Sequence, residues 1–528
     1  MLEATLAILN AHVVTLNTNQ PTAEATAIYD SKIIAVGSNG QIRKYTDRKT
    51  RIINAKNRTV IPGLNDCHVH MTSFGQFLQT LDLREAKSIA ELKTKLHKYA
   101  EQNPEKKWIL GGRWDQEKLA EKNYPTRHDL DAAVPDRPVF LIRVCGHIGV
   151  ANTKAMQIAG ITKETTVQGG KTHINPKTGE PNGLLSENAL GLVWKAIPKP
   201  APAELEQACI LACKKAVEAG LTCVHWIIGS PKEIGIIFRL YSANRLPLRV
   251  YLGIPIEFLD SLKRLGLQTG FGNDMVKIGF VKILADGSLG ARTAALKEPY
   301  SDKPDTCGVM LHKKKELDEL VTKSHQAGLQ VAIHAIGDHT VDVVLNAFEK
   351  ALKEYPSKDH RHRVEHGSVL NPKLIRRMKK LGLTASVQPH FVASDFWVVD
   401  RVGKARARWV YPFKTLMHEG LSVVSGSDSP VEPISPILGI WAAVARKSFA
   451  QEGLTIEEAL KTYTSNAAYA SFDEAKRGAI EAGKLADLTI LSGDPLSVPP
   501  DDIKSIKVDM TIVNGKVVYA RNDFLKNR

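Results

Sequence analysis

Residues 329–337 read "LQVAIHAIG", a short apolar run that carries a histidine near its end and stops at a glycine. A run of this length that contains Val and Ile is typical of a buried strand. An amphipathic, helix-like stretch follows it, and six similar runs precede helix-like stretches between residues 220 and 430. Because parallel strands are joined by crossovers such as helices, this alternation predicts a parallel sheet.

The stretch "TVIPGLNDCHVH" at residues 59–70 adds a first strand, and roughly eight strand–helix units then predict an α/β fold, a (β/α)8 TIM barrel. A flat, doubly wound sheet is the alternative, but no G-x-G-x-x-G motif opens a helix in this chain. The two ends of the chain hold short alternating strands that are too few for separate cores. We therefore predict a composite β-sandwich from residues 1–61 and 475–528, beside a barrel at residues 62–474. Residues 77–200, approximately, are too long for a loop and are predicted to form a cap inserted after the first barrel strand.

The composition is that of an ordinary soluble globular protein, with 43% hydrophobic and 24% charged residues among 528. No apolar run reaches the ~18 residues of a membrane span, and the first residues lack the features of a signal peptide. Six cysteines without a C-x-x-C pair indicate reduced thiols. We therefore expect a cytoplasmic protein that has no membrane partner.

The net charge of +15 raises the question of nucleic-acid binding. The basic residues are scattered through helix-like stretches, and we find no basic arm, zinc finger or aromatic RNA-binding platform. We therefore predict a solvated basic surface and no nucleic-acid partner, and leave open that the charge attracts an acidic substrate.

Polar residues end or interrupt the predicted strands in succession. His68 and His70 form an H-x-H pair, whose two rings point to one face of a strand. Further strands offer other groups at or near their ends: Lys282, His334, Glu365, His366, Gln388, His390 and Asp428. Active-site residues of a TIM barrel lie at the carboxyl ends of its strands, so these side chains would meet at one mouth. A single strand-end histidine is more often a hydrogen-bonded structural residue, whereas a whole series suggests a shared metal.

Several motifs resemble those of the amidohydrolase superfamily of metal-dependent hydrolases. They are P-G-x-x-D-x-H-x-H, "VKILADGSLGARTAAL", "AIHAIGD", "RVEH", "SVQPHF" and "SGSDSP". The resemblance spans nearly the whole chain and is strongest to the branch that contains the N-substituted formamide deformylases. It implies a set of six metal ligands: His68, His70, Lys282, His334, His366 and Asp428.

In that family the lysine is carboxylated and bridges two metal ions, and Lys282 takes this place by resemblance. An ion pair between Lys282 and Asp286 is the alternative. The ligand types favour zinc, with two ions expected, and they do not exclude manganese, iron, cobalt or nickel.

The activity implied is metal-dependent hydrolysis of a C–N bond in a small molecule: an amide, an N-formyl group or a cyclic amide. Asp428 would act as general base and then general acid. A deaminase or an ester or lactone hydrolase is the alternative at the same site; Lys282 favours amide hydrolysis, because mononuclear deaminases usually lack the bridging lysine. Candidates for binding the substrate or for orienting the metal ligands are His147, Asp286, Arg292, Gln388 and His390. A homodimer is expected by family analogy alone, and the sequence names neither the substrate nor the native metal.

Overall fold

The computed structural model describes residues 2–526. Within these residues the strands are β1 (Leu6–Leu9), β2 (His12–Val14), β3 (Thr22–Ala23), β4 (Ala25–Tyr29), β5 (Lys32–Gly37), β6 (Arg51–Asn54), β7 (Thr59–Pro62), β8 (Leu64–Val69), β9 (Leu81–Asp82), β10 (Ile109–Trp114), β11 (Val139–Arg143), β12 (Ile148–Ala151), β13 (Gly170–Ile174), β14 (Pro181–Glu187), β15 (Leu221–Ile227), β16 (Arg249–Pro255), β17 (Val276–Leu284), β18 (Gln330–Ala335), β19 (Arg363–His366), β20 (Thr384–Val387), β21 (Ser422–Ser425), β22 (Leu488–Leu491), β23 (Val508–Val513) and β24 (Lys516–Ala520).

The helices over the same residues are α1 (Asn39–Arg43), α2 (Met71–Phe77), α3 (Ile89–Gln102), α4 (Arg127–Ala133), α5 (Thr153–Ile158), α6 (Leu190–Ala196), α7 (Pro202–Glu218), α8 (Pro231–Ser242), α9 (Leu259–Leu265), α10 (Lys314–Gln326), α11 (Asp338–Glu354), α12 (Pro372–Lys380), α13 (Phe391–Ser394), α14 (Val398–Ala407), α15 (Phe413–His418), α16 (Pro436–Val444), α17 (Ile456–Thr462), α18 (Ser465–Ala470) and α19 (Asn522–Lys526). None of the helices in this part of the chain has both the length and the apolar character that crossing a membrane requires.

Eight parallel strands form the central sheet, in the order β21-β20-β19-β18-β17-β16-β15-β8. Each is short and largely buried, as in β18, where all six residues are buried. Backbone hydrogen bonds join the first and last strands just beyond β21: Asp428 N–H donates to the carbonyl of His68 (2.7 Å), and His70 N–H donates to that of Ser429 (2.8 Å). The sheet is thus a barrel, and the predicted TIM-barrel fold is confirmed.

The stretch "TVIPGLNDCHVH" is two strands in two different sheets. Gly63 separates β7, which lies in a sheet with the C-terminal strands, from β8, the first barrel strand. A β-carbon at Gly63 would lie 2.3 Å from Thr222 Oγ1, so only glycine fits where the chain passes from one sheet to the other. The chain therefore enters the barrel through this residue.

Both ends of the chain contribute to two packed sheets. One sheet has the order β5-β4-β1-β6, and the other has the order β24-β23-β22-β7-β2-β3, in which β22 pairs antiparallel with β7. Apolar residues from both sheets share one core, among them Ile8, Ile28, Val60, Leu488 and Ile512. The composite arrangement of the termini predicted from the sequence is present.

The part of the chain between α2 and α7 forms a third sheet, which is mixed and has six strands in the order β13-β14-β12-β11-β10-β9. Its helices α3 and α4 pack on a core around Trp114, and α5 and α6 pack on a core around Phe140. Both cores are separate from the barrel core. This insertion follows the first barrel strand, and we refer to it as the cap.

Candidate metal centre and active-site cavity

The H-x-H pair lies at the carboxyl end of the first barrel strand. His68 is within β8, and His70 follows it directly and begins α2. Asp428 comes three residues after β21, the strand that closes the barrel. The Nε2 atoms of both histidines lie 3.4 Å from Asp428 Oδ1. One ligand atom from each of the three residues falls within 4.8 Å of the others, so this group could hold a metal ion.

Two further histidines lie beside this group. The ring centroids of His68 and His366 are 4.9 Å apart, and those of His366 and His334 are 4.5 Å apart. These two residues belong to the neighbouring strands β19 and β18. The four histidines therefore form one continuous cluster at the barrel mouth. The first and the last of them are more than 290 residues apart along the chain.

Lys282 of β17 is buried next to the cluster. In the part of the chain that the structure describes, its ammonium forms no hydrogen bond or ion pair, and the alternative ion pair with Asp286 is not present there. Burial lowers the pKa of Lys282, although the charges of Glu365 and Asp428 oppose the shift. Such a lysine gives up its proton more readily than one in water.

The second ring nitrogen of three histidines is held by a hydrogen bond. His68 Nδ1 donates to Glu365 Oε2, His366 Nδ1 donates to Gln388 Oε1 (2.6 Å), and His334 Nε2 donates to the carbonyl of Gly287 (3.0 Å). These bonds fix each ring and leave its other nitrogen as a lone-pair donor. Metal-binding histidines in proteins are oriented in this way.

The charges at the centre suit a cation. Burial alone would raise the pKa of Asp428, but His68, His70 and His366 lower it to well below its ordinary value. Burial and the charge of Lys282 lower the pKa of His68 to about 4. At neutral pH the carboxylate is therefore ionised and the His68 imidazole is neutral, which are the protonation states that metal ligands need.

Two of the candidate metal ligands adopt left-handed backbone conformations. The φ angle is +70° at His366 and +54° at Asp428. Residues other than glycine seldom adopt such angles, and those that do are concentrated at functional sites. Here the conformation turns each side chain at the point where its strand ends.

A cavity of about 400 Å³ opens above the cluster. His334, His366 and Asp428 form its base, and residues of the cap and of the segment from His390 to Trp441 form its walls. His147 of the cap also lines it, with its ring 6.3 Å from that of His334. The cluster is thus accessible to a small molecule.

Comparison with known proteins identifies the family. The amidohydrolase family model matches residues 51–519. The chain belongs to the amidohydrolase family. It is 36% identical to the protein YtcJ of Bacillus subtilis over 516 residues, which cover 94% of this chain and 96% of that protein.

Two further relatives are informative. The N-substituted formamide deformylase of Arthrobacter pascens is 26% identical over 536 residues, covering 98% of each chain. An uncharacterized metal-dependent hydrolase of Pyrococcus horikoshii is 32% identical, with a TM-score of 0.78 over 94% of this chain and 99% of that one. The resemblance to the amidohydrolases predicted from the sequence is confirmed, and this member of the family is a hydrolase with a His-His-Asp candidate metal site.

Two of the predicted substrate-binding residues of this amidohydrolase line the cavity. His147 Nδ1 donates to Glu187 Oε2 (2.8 Å), and this contact with the carboxylate, outweighing burial, raises the pKa of His147 to about 9. His390 Nδ1 donates to Glu432 Oε2 (2.5 Å). Each ring is therefore held by a carboxylate at the cavity wall.

The other three candidates, Asp286, Arg292 and Gln388, lie outside the cavity lining. The carboxylate of Asp286 is fully buried and accepts hydrogen bonds from the backbone N–H groups of residues 295, 336 and 337, so its oxygens are not free for a ligand. Arg292 pairs with Asp302 (2.8 Å) outside the cavity lining. Gln388 Oε1 accepts a hydrogen bond from His366 Nδ1 (2.6 Å) and so orients that ring.

Sequence reasoning did not pair these carboxylates with the histidines that they hold. Glu365 was visible in "RVEH" as a strand-end group, but its partner His68 is 297 residues away in the sequence. Glu187 ends β14 of the cap and Glu432 lies in a loop, and the sequence does not indicate which histidine either side chain contacts. Arg113, a cavity residue of the cap, carried no motif at all.

Proposed function

We propose that this protein is a metal-dependent amidohydrolase that hydrolyses a C–N bond of a small molecule: an amide, an N-formyl group or a cyclic amide. The observation that carries the proposal is the His68–His70–Asp428 group beneath a cavity of about 400 Å³. Family membership and the relative named as an N-substituted formamide deformylase support the choice of bond.

The residues fit divalent metal ions by their chemistry. His68, His70, His334, His366 and Asp428 would hold them, and imidazole and carboxylate ligands suit zinc. We propose two ions and a carboxylated Lys282 as a further ligand: the neutral amine would add carbon dioxide and release a proton, which would leave an anionic carbamate. Bound ions would supply Lewis acidity and lower the pKa of water to about 7.

The protein's own groups would move the proton. Water adds to the carbonyl carbon, and Asp428 accepts a proton from it at Oδ. The same carboxyl group then donates that proton to the leaving nitrogen as the C–N bond breaks, which yields a carboxylic acid and an amine. The low pKa of Asp428 keeps its carboxylate ionised at neutral pH. His147 is cationic below pH 9 and lines the cavity, where it is placed to donate to a substrate oxygen.

The test is a substrate panel applied to chelator-treated protein with and without added zinc. The panel contains N-formyl, N-acyl and cyclic amides, aminated purines and pyrimidines, and esters and lactones. We expect zinc-dependent cleavage of a C–N bond in one of the amide classes. Release of ammonia from a purine or pyrimidine alone would assign a deaminase, and cleavage of esters or lactones alone would assign that class of hydrolase.

Asp428→Asn is the matched variant, and we expect it to lower kcat by about 10²- to 10⁴-fold because the proton acceptor is lost. Asp342→Asn is the control, since Asp342 lies on α11 and pairs with Lys297 (2.7 Å) outside the cavity. Its kcat should equal that of the wild type. Full activity of the Asp428→Asn protein would contradict the proposed role.

A further inference from the structure

Arg113 of the cap lies at an irregularity in its strand. It lies in β10, where the register with β11 shifts between Gly112 and Trp114, and its φ angle is +71°. A bulge of this kind redirects a side chain that would otherwise follow the pleat. Arg113 lines the cavity whose base includes Asp428.

The guanidinium of Arg113 lacks a carboxylate partner. Over the described residues it forms no hydrogen bond or ion pair, and its Nη1 atom is buried without a partner. Its described contact is with the face of the Phe77 ring, whose centroid lies 4.5 Å from the guanidinium carbon. An unpaired, half-buried guanidinium is incompletely solvated, so an anion placed directly beside it would be favoured.

The other two arginines of the cavity differ in this respect. Arg84 pairs with Asp82 (2.5 Å), and Arg143 pairs with Asp115 (2.6 Å). Their charges are neutralised within the cap. Arg113 is thus the half-buried arginine of this cavity whose charge is left for a ligand.

Arg113 lies within electrostatic reach of Asp428, the proposed proton acceptor. Burial and the charge of Arg84 lower the pKa of Arg113 to about 9, and the carboxylates of Asp82, Asp428 and Glu432 act against this shift. Asp428 and Glu432 line the same cavity. A ligand of moderate length can therefore reach the guanidinium while its scissile bond lies near Asp428.

We propose that Arg113 determines specificity by binding a carboxylate of the substrate, which makes the substrate an N-acylated amino acid or a similar N-acyl amino carboxylate. The planar guanidinium offers two parallel N–H donors that match the two oxygens of a carboxylate. Phe391, Trp397 and Trp441 line the cavity and can contact an apolar side chain of such a substrate. This inference rests on the proposed C–N hydrolysis and names the substrate class for it.

Binding is tested with 3-phenylpropionate and its uncharged analogue, 3-phenylpropionamide, by calorimetry on full-length, metal-containing protein. We expect the wild type to bind the acid more tightly than the amide. Arg113→Gln should weaken the affinity for the acid by about 10- to 100-fold and leave the affinity for the amide unchanged. Arg113→Lys should give an intermediate loss, because it keeps the charge without the paired donors. Arg84→Gln is the control and should retain the preference for the acid. Equal affinity of Arg113→Gln and the wild type for the acid would overturn the inference.

A purely structural role of Arg113 gives a different result. If the side chain only supports the cap, Arg113→Gln should lower the Tm of the ligand-free protein. If the side chain instead binds a ligand, the Tm of the ligand-free Arg113→Gln protein should equal or exceed that of the wild type, because an unpaired charge has been removed. A lowered Tm together with unchanged binding of the acid would overturn the inference.

Kinetics separate this inference from the proposed function. N-formylphenylalanine and its amide differ only in the carboxylate, and we expect Arg113→Gln to reduce kcat/KM for the acid by about 10- to 100-fold more than for the amide. Hydrolysis of both at a ratio that Arg113→Gln leaves unchanged would overturn the inference alone. Binding of 3-phenylpropionate that depends on Arg113, with no C–N bond cleaved in any compound, would overturn the proposed hydrolysis and leave the carboxylate site supported.

Discussion

At the scale of single residues, the centre depends on groups that orient its histidines as much as on the histidines themselves. Gln388 shows this, since its Oε1 accepts from His366 Nδ1 and so leaves Nε2 as the ligand atom. We expect Gln388→Leu to lower metal affinity by about 10- to 100-fold. Competition with a chelator measures the loss.

The matched control is Gln388→Glu, which keeps an oxygen that can accept from the same ring nitrogen. We expect it to hold metal at least as well as the wild type. If Gln388→Leu binds metal as tightly as the wild type, the hydrogen bond to His366 has no part in orienting a ligand.

The His147–Glu187 pair predicts a pH dependence of stability. The folded pKa of His147 is about 9, above its ordinary value of 6.5, because the Glu187 contact outweighs burial. The contribution of the pair to the free energy of unfolding is therefore complete below pH ~6.5 and is lost as the pH rises through 9. It amounts to about 2–3 kcal/mol for this partly buried pair.

Denaturant unfolding of metal-free wild type and His147→Gln at several pH values measures this effect. The stability difference between the two proteins should shrink from pH 6 to pH 10. His418→Gln removes an exposed histidine that pairs with Glu458 and serves as the control. A difference that stays constant over this pH range would contradict the assigned pair.

The residue types of the site could be read from the sequence, but their partners could not. Strand ends and motifs pointed to His68, His70 and Asp428, because the barrel topology gathers strand ends at one mouth. The contact between His68 and Glu365 depends on side-chain directions 297 residues apart. Asp286 follows a strand and is therefore a predicted substrate-binding residue, whereas backbone N–H groups from two segments of the chain surround its carboxylate.

At the scale of secondary-structure elements, the seam between β21 and β8 positions the centre. Gly426 lies in this seam, and a β-carbon there would lie 2.5 Å from the backbone nitrogen of His68. We expect Gly426→Ala to lower the free energy of unfolding by about 1–3 kcal/mol and to weaken metal binding, because His68 must move. Denaturant unfolding and metal content check the two effects.

Gly191→Ala is the control for this substitution. Gly191 is in α6 of the cap, and a β-carbon there would have no atom within 4 Å. Its stability should be unchanged or rise by up to about 1 kcal/mol, with metal content intact. If Gly426→Ala is as stable and as rich in metal as the control, the seam does not position His68.

The elements themselves followed largely from periodicity, with two instructive exceptions. The single strand expected at residues 59–70 is divided at Gly63, because the chain changes sheets there. The bulge at Arg113 reverses the alternation that would predict its direction. Both departures arise from tertiary packing, which a local pattern does not record.

At the scale of the whole molecule, the C-terminal segment is tied to the barrel by a buried ion pair. Arg249 at the start of β16 contacts Asp487 just before β22 (2.6 Å). We expect Asp487→Ala to lower the free energy of unfolding by about 3–5 kcal/mol, because the buried guanidinium is left unpaired. Urea unfolding of the full-length chain measures it.

The double variant Arg249→Met/Asp487→Leu is the control, since it removes both charges and keeps apolar volume. It should recover much of the lost stability. A single variant as stable as the wild type would show that the pair does not secure the sandwich to the barrel.

The exact domain boundaries, the homodimer and the cytoplasmic location stay predictions.

The central claim is that side chains from separate barrel strands bind divalent metal ions at one mouth. Elemental analysis of the full-length protein, purified without chelator, tests it most directly when His68→Asn/His70→Asn is measured in parallel. We predict about two zinc ions per chain in the wild type and a large loss in the double variant. A wild-type protein that holds no metal, or a double variant that holds as much as the wild type, would contradict the claim.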